Sequence, residues 1–221
     1  MSDDRGYVPP AYLEMTSRLV APIKARSYSL MGLFAGARVA DIGCGIGIDV
    51  SQLSRLVGPL GEVAGVDSDP AMIEAARRRA APDPQEASPR FELAQSCALP
   101  FEAGYFDACR SERLFQHLEQ PQQSLAEMQR VTRKGGRVVV LDTDWGSMSV
   151  DSAHADTERH LANFKAQHSL RNGFAGRRLA ALFRELAFSD VSIEVLPLHS
   201  TNYGVVRLAC KIGRASCRER V

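Results

Sequence analysis

The chain has 221 residues, 45% of them apolar and 24% charged, an ordinary mixture for one globular domain with a sizeable core. A formal net charge of +1 provides no basic stripe for nucleic acid and no attraction to an anionic membrane. No stretch is apolar for long enough to span a bilayer, and the polar start MSDDRGYVPP lacks the apolar centre of a secretion signal, so a cytoplasmic location is the default expectation.

In chain order, residues 10–33 read as helical, with Pro22 breaking the region into two pieces. The segment 38–42, RVADI, is a short apolar strand. The glycine-rich turn GCGIG follows at 43–47, then a helix over 49–56 closed by Gly58 and Pro59. A second strand is expected at 62–66. Asp69 is a natural N-cap and Pro70 fits the first position of a helix reaching about residue 80. Its end carries Arg77, Arg78 and Arg79, which suit the negative pole of the helix.

After the loop 81–89, a third strand is expected at 90–94 and a fourth begins at 105–109. An amphipathic helix covers 122–133, with Leu125, Met128 and Val131 inward, and Lys134-Gly135-Gly136 ends it. The segment 137–142, RVVVLD, is nearly continuous in apolar residues, as a parallel strand covered on both faces requires. Helices are expected at 151–167 and 175–187, and the alternation at 191–198 reads as a sixth strand. Strands and helices alternate throughout, which predicts an α/β fold: a Rossmann-like, doubly wound, mostly parallel sheet.

The last ten residues, IGRASCRERV, show no apolar period and carry a net +2. They resemble a translated sequencing-library adapter, so 212–221 is read as a non-native tail. The expected organisation is an N-terminal helical lid or substrate segment at 1–34, a main domain at 35–211, and that tail. The main domain is expected to lack a last antiparallel strand and to leave an exposed edge. Five cysteines, at 44, 97, 109, 210 and 217, include no C-x-x-C pair, and the odd count predicts reduced, mostly buried thiols. The five histidines show no metal-ligand spacing, so no metal is expected.

The strongest constellation is VADIGCGIG at 39–47 followed by GVDSDP at 65–70. Gly43, Gly45 and Gly47 lie between a strand and a helix, where missing side chains let a ligand approach the backbone. Asp67 ends the second strand, where a carboxylate can accept both ribose hydroxyls of an adenosine cofactor. A dinucleotide loop would place its third glycine at position 48, which is Ile48 here. The third glycine comes one residue early, and Asp41 opens a D-x-G-x-G-x-G string.

That string resembles motif I of the class I S-adenosylmethionine-dependent methyltransferases. The segments ALPFEAGYFDA at 98–108 and RLFQHLEQPQQSLAEMQRVTRKGGRVVVLDTDW at 113–145 are similar to that family's approach to strand four and its run through strand five. The chain is similar to the small-molecule methyltransferases of the ubiquinone and menaquinone biosynthesis type, and the likeness covers roughly residues 35–145. It implies S-adenosylmethionine as cofactor and a small-molecule acceptor, with O, N or C as the methylated atom. It implies that Gly43, Gly45 and Gly47 form the donor loop and that Asp41 steers the loop or the methionine amino group. Asp67 would hold the ribose, with Ser68 beside the adenine. Gln95 stands where the family usually has an Asp near the adenine amine; Gln95 and Ser96 are assigned there, and Ser111 near the methionine moiety.

On the acceptor side, His117 and Asp144 are candidates to assist deprotonation, against capping or surface roles. Asp142 and Trp145 at the exit of strand five, with Tyr12 from the lid, are candidate acceptor contacts, against turn chemistry and core packing. Tyr7 and Met15 would share the lid. Arg110 and Arg113 flank Ser111; Arg113 could meet an acidic group, but a surface charge is the simpler expectation. Two rival functions are a nicotinamide-dependent oxidoreductase and a cofactor-binding fragment without activity. The early third glycine and the absence of a Tyr-x-x-x-Lys pair after strand five speak against the first.

Overall fold

The computed structural model describes residues 10–200. Pro10–Leu19 (α1) and Ala21–Leu30 (α2) lead into Arg38–Ile42 (β1), Ile48–Val57 (α3), Glu62–Asp67 (β2) and Pro70–Arg79 (α4). Arg90–Leu93 (β3), Phe106–Glu112 (β4), Pro121–Val131 (α5) and Thr132–Leu141 (β5) complete the sheet region. Ala155–Phe164 (α6) and Ala175–Glu185 (α7) follow. Short 3₁₀ turns occupy Phe115–His117 and Trp145–Ser147, and a π-helical turn spans Lys165–Ser169.

The five strands are all parallel, in the order β3-β2-β1-β4-β5. The chain winds outward from β1 to β3, then returns to the other side of β1 to lay down β4 and β5. The order therefore reverses between β1 and β4. In open sheets of this kind, ligands lie beyond the carboxyl ends of the strands flanking that reversal.

Strand periodicity sorts the core into two faces. Val39 and Ala108 join Val50, Leu53, Val57, Ile73 and Met31 on the face carrying α3. Ala40, Ile42 and Cys109 join Leu125, Met128, Val131 and Leu182 on the face carrying α5 and α7. Predicted local signals act as expected: Asp69 accepts from the Ala71 N–H at 2.8 Å and caps α4, with Pro70 at its first position. Cys44 and Cys109 are buried free thiols, whereas Cys97 is exposed.

Three expectations need correction. Residues 191–198 form no strand; the alternation is there, but no strand among the described residues takes up their backbone groups. Ile193 and Val195 are 57% and 88% exposed, and Arg26 ties the segment to α2 through Glu194 at 2.9 Å. The Lys134-Gly135-Gly136 turn lies within β5 rather than before it, as an irregularity in the register with β4. The helix expected at 151–167 begins only at Ala155 and passes into the π-helical turn at Lys165. Among the described residues β5 ends the sheet; residues 201–221, from which a further strand would have to come, lie outside them. Tyr7 and the 212–221 tail lie outside the described residues.

Candidate functional site

The glycine turn sits at the reversal of strand order. Gly43, Gly45 and Gly47 take φ values of 77°, 53° and 75°, a region that side-chain-bearing residues occupy at a cost. The Gly43 and Cys44 N–H groups both donate to the Val66 carbonyl, at 2.8 and 2.9 Å, which lashes the turn to β2. Gly45 N–H donates to Asp67 Oδ2 at 2.8 Å, and Asp69 N–H donates to Oδ1 at 3.0 Å. Asp67 thus holds the loop while remaining half-buried, and burial raises its pKa above the ordinary carboxylate value. A Cβ on Gly47 would stand 3.1 Å from Ala76 Cβ and 3.2 Å from the Phe91 ring. Gly47→Ala is expected to lower stability by about 1–2 kcal/mol, from the left-handed backbone alone; a urea midpoint measures it.

Strand β4 supplies the other wall. Ser111 Oγ, like Ser54 Oγ in α3, is buried with no hydrogen-bond partner among the described residues. A buried hydroxyl left unsatisfied is uncommon and marks a place where a ligand group can complete the bonding. Arg113, just beyond it, has φ 53° and donates to Glu112 Oε1 at 3.0 Å and to Thr16 Oγ1 of α1 at 2.9 Å. It is therefore a pinned, half-buried group, not the surface charge expected. Helix α1 lies across the loop, with Leu13 Cδ1 only 3.3 Å from where a Gly45 Cβ would be. Tyr12 is half-buried on the same helix; burial raises its pKa, opposed by the positive charge of Arg113.

Beneath the loop lies a charge cluster that sequence reasoning missed. Asp41 on β1 pairs in register with Arg110 on β4. Arg110 is 0% exposed and donates to Asp41 Oδ1 at 3.1 Å, Glu112 Oε2 at 2.6 Å and Ser27 Oγ at 3.0 Å. Lys24 of α2, 5% exposed, meets Asp49 Oδ2 at 2.5 Å and Glu112 Oε2 at 2.9 Å. The Tyr28 hydroxyl donates to Asp49 Oδ1. Burial pushes the Asp41 carboxyl up to about 7 against the pull of Arg110. The only advance signal was local: charged residues at 110 and 112 alternate with Ala108 on a core-facing side of a strand.

The remaining candidates fall at the carboxyl ends of β2, β3, β4 and β5. Ser68 and Gln95 are exposed, and Ser96 bonds to Ser124 Oγ at 2.8 Å. His117 ends the 3₁₀ turn after β4 and is half-buried. Asp142 accepts from the backbone N–H of Gln116 at 3.2 Å and of Thr143 at 2.8 Å, and burial pushes it up to about 7. Asp144 caps the Trp145–Ser147 turn through Gly146 N–H at 3.2 Å and pairs with Arg177 at 2.8 Å. Trp145 donates its indole N–H to Gln116 Oε1 at 2.6 Å and carries Lys165 Nζ 4.0 Å from its ring centroid. Gln116 and Lys165 were not anticipated.

These features fit an adenosyl donor: a turn with glycine at 43, 45 and 47, a half-buried acid at the end of β2, and near the end of β4 a buried hydroxyl without a partner among the described residues. Residues 40–140 match a family model described as a methyltransferase domain. A ubiquinone/menaquinone biosynthesis C-methyltransferase, UbiE, of Pseudomonas paraeruginosa is 32% identical over 195 residues, covering 80% of this chain and 76% of that protein. A 37.1 kDa protein from transposon Tn4556 of Streptomyces fradiae is 36% identical over 185 residues, covering 81% of this chain. The chain spans about half, 53%, of that protein's length. In fold, a S-adenosylmethionine-dependent methyltransferase from Aquifex aeolicus superposes with a TM-score of 0.62 at 16% identity, covering 82% of this chain and 89% of the other. The chain belongs to the class I S-adenosylmethionine-dependent methyltransferases. Within that class, its relatives of known name include the quinone C-methyltransferases.

Proposed function

We propose that the protein transfers a methyl group from S-adenosylmethionine to a nucleophilic O, N or C atom of a small molecule. The observation that supports this most is the joint placement of the glycine turn, Asp67 and Ser111 around the reversal of strand order. When bound, the donor supplies a methyl carbon on a sulfonium, and its transfer leaves the neutral thioether. The chain's own task is then alignment and exclusion of water. Gly43, Gly45 and Gly47 let the donor's methionine and ribose lie against main chain. Asp67 accepts the ribose hydroxyls, Ser68, Gln95 and Ser96 border the adenine, and Asp41 and Ser111 face the methionine end.

Tyr12, Asp142 and Trp145 are assigned to the acceptor side. His117, half-buried at the end of the 3₁₀ turn after β4, and Asp144 are the two candidate proton acceptors. Both Asp144 oxygens already have partners, Gly146 N–H and Arg177. A charge balance near neutrality and the absence, among the described residues, of a membrane-length apolar helix accord with a cytoplasmic enzyme acting on a free metabolite.

The test uses methyl-labelled donor and a panel of phenols, enols, amines and quinol precursors. Transfer to at least one acceptor is expected, and folded protein that binds donor but labels none would leave it a binding protein. With a labelled acceptor that must lose a proton, His117→Ala is expected to lower kcat roughly tenfold, at the weak end of general-base effects because the donor is already activated. Asp144→Ala should change it less. Equal, unchanged rates in both would remove the two residues from the chemistry.

A further inference from the structure

We propose that Lys24 and Arg110 are positioning residues that hold Asp41 ionised beneath the methionine end of the donor and bind the N-terminal helices to that state. The inference rests on the assignment of Asp41 to the donor's amino group and names the groups that make Asp41 fit for it.

The geometry is specific. Three carboxylates, Asp41, Asp49 and Glu112, share three cations, Lys24, Arg110 and Arg113. They come from β1, α3, β4 and α2, and Arg113 reaches α1 through Thr16. A buried carboxylate without compensation takes up a proton instead of keeping its charge. Arg110 alone spans Asp41, Asp49 and Glu112, so its charge is divided among three acids. Lys24 takes up part of Asp49 and Glu112, which leaves more of Arg110 for Asp41. Removing Lys24 therefore weakens the support of Asp41, although its own contacts are with Asp49 and Glu112. Lys24, Ser27 and Tyr28 all belong to α2, so the same contacts fix the helix that precedes the site.

Beyond these, the titratable groups facing Asp41 are the Tyr28 hydroxyl from α2 and the Cys44 thiol from the loop, with Asp67 on the far side of Cys44. Burial holds the Tyr28 and Cys44 protons in place well above neutral pH. Burial carries the Asp41 carboxyl to about 7, opposed first by Arg110 and then by Lys24.

The experiment compares two ligands by calorimetry on the full chain. S-adenosylhomocysteine carries the ammonium that Asp41 would meet; 5′-methylthioadenosine has the same nucleoside without it. Wild-type affinity for the first should fall as pH drops below about 7, because the carboxyl protonates while the ligand ammonium does not. Affinity for the second should stay level. In Lys24→Met the midpoint for S-adenosylhomocysteine should move up by about one pH unit, with roughly fivefold weaker binding near pH 7. Methylthioadenosine should shift less than about twofold, and Lys24→Arg, which keeps the charge, should restore both. Lys24→Gln replaces the Met variant if that one does not fold, and the wild-type comparison needs no variant at all. Parallel pH curves for the two ligands, or a midpoint that Lys24→Met leaves in place, overturn the proposal. Loss of both ligands in folded wild type instead overturns the donor site itself.

Discussion

Asp67→Ala should weaken S-adenosylhomocysteine binding by about 100-fold. The carboxylate is assigned to both ribose hydroxyls, and hydrogen bonds to a charged group contribute about 1.5–3 kcal/mol each. A loss near 3 kcal/mol corresponds to roughly two decades in Kd. The same oxygens also hold Gly45 N–H and Asp69 N–H, so the loop loses an anchor along with the ligand. Asp67→Asn separates the two effects. It keeps one carbonyl acceptor and should recover part of the loop geometry but little of the ribose bonding. Titration calorimetry of both variants measures this, with the urea midpoint as a check on folding. A Kd within threefold of wild type for Asp67→Ala would remove Asp67 from the ribose.

Arg110→Met should lower stability by about 3–5 kcal/mol. Its guanidinium has no solvent exposure and its removal leaves Asp41, Asp49 and Glu112 facing one another with only Lys24 fully buried among them. The sign with pH follows from Asp41. Its folded pKa, about 7, already stands above the ordinary 3.8 because of burial, and loss of Arg110 raises it further. A carboxyl raised in the folded state favours folding when protonated. That contribution is complete below the ordinary value and is lost as pH rises through the folded one. The deficit of Arg110→Met relative to wild type should therefore be smaller at pH 5 than at pH 8. Urea unfolding at both values is the measurement, and a deficit independent of pH would show that the lost guanidinium matters by packing alone.

Most of the fold could be read ahead because its signals are local. The turn at 43–47, the Asp69 cap with Pro70, and the apolar runs of β1 and β5 each state their structure within a few residues. The glycine turn and the acid closing β2 were legible for the same reason, since they keep a fixed spacing. What escaped depends on partners far away in the chain. The alternation at 191–198 is a true strand pattern, yet pairing decides whether a strand forms, and a single segment does not reveal its neighbour. Arg110 looked like an ordinary charge because its three carboxylates come from β1, α3 and β4, and only the register of Asp41 against Arg110 brings them together. Lys24 was hidden likewise, being 25 residues from Asp49. Asp142 and Asp144 show the opposite case: residue types that suggest chemistry at a strand exit are also those that close turns, and here both hold backbone N–H groups.

The tightest check on the donor site is calorimetry of the purified, folded chain at pH 7.5 with S-adenosylhomocysteine in one run and NADH in another. One-to-one binding of the first and no heat from the second is the expected pair. A folded protein that ignores the adenosyl compound, or prefers the nicotinamide one, would mean that the bend at 43–47 and the acid at 67 serve a different purpose.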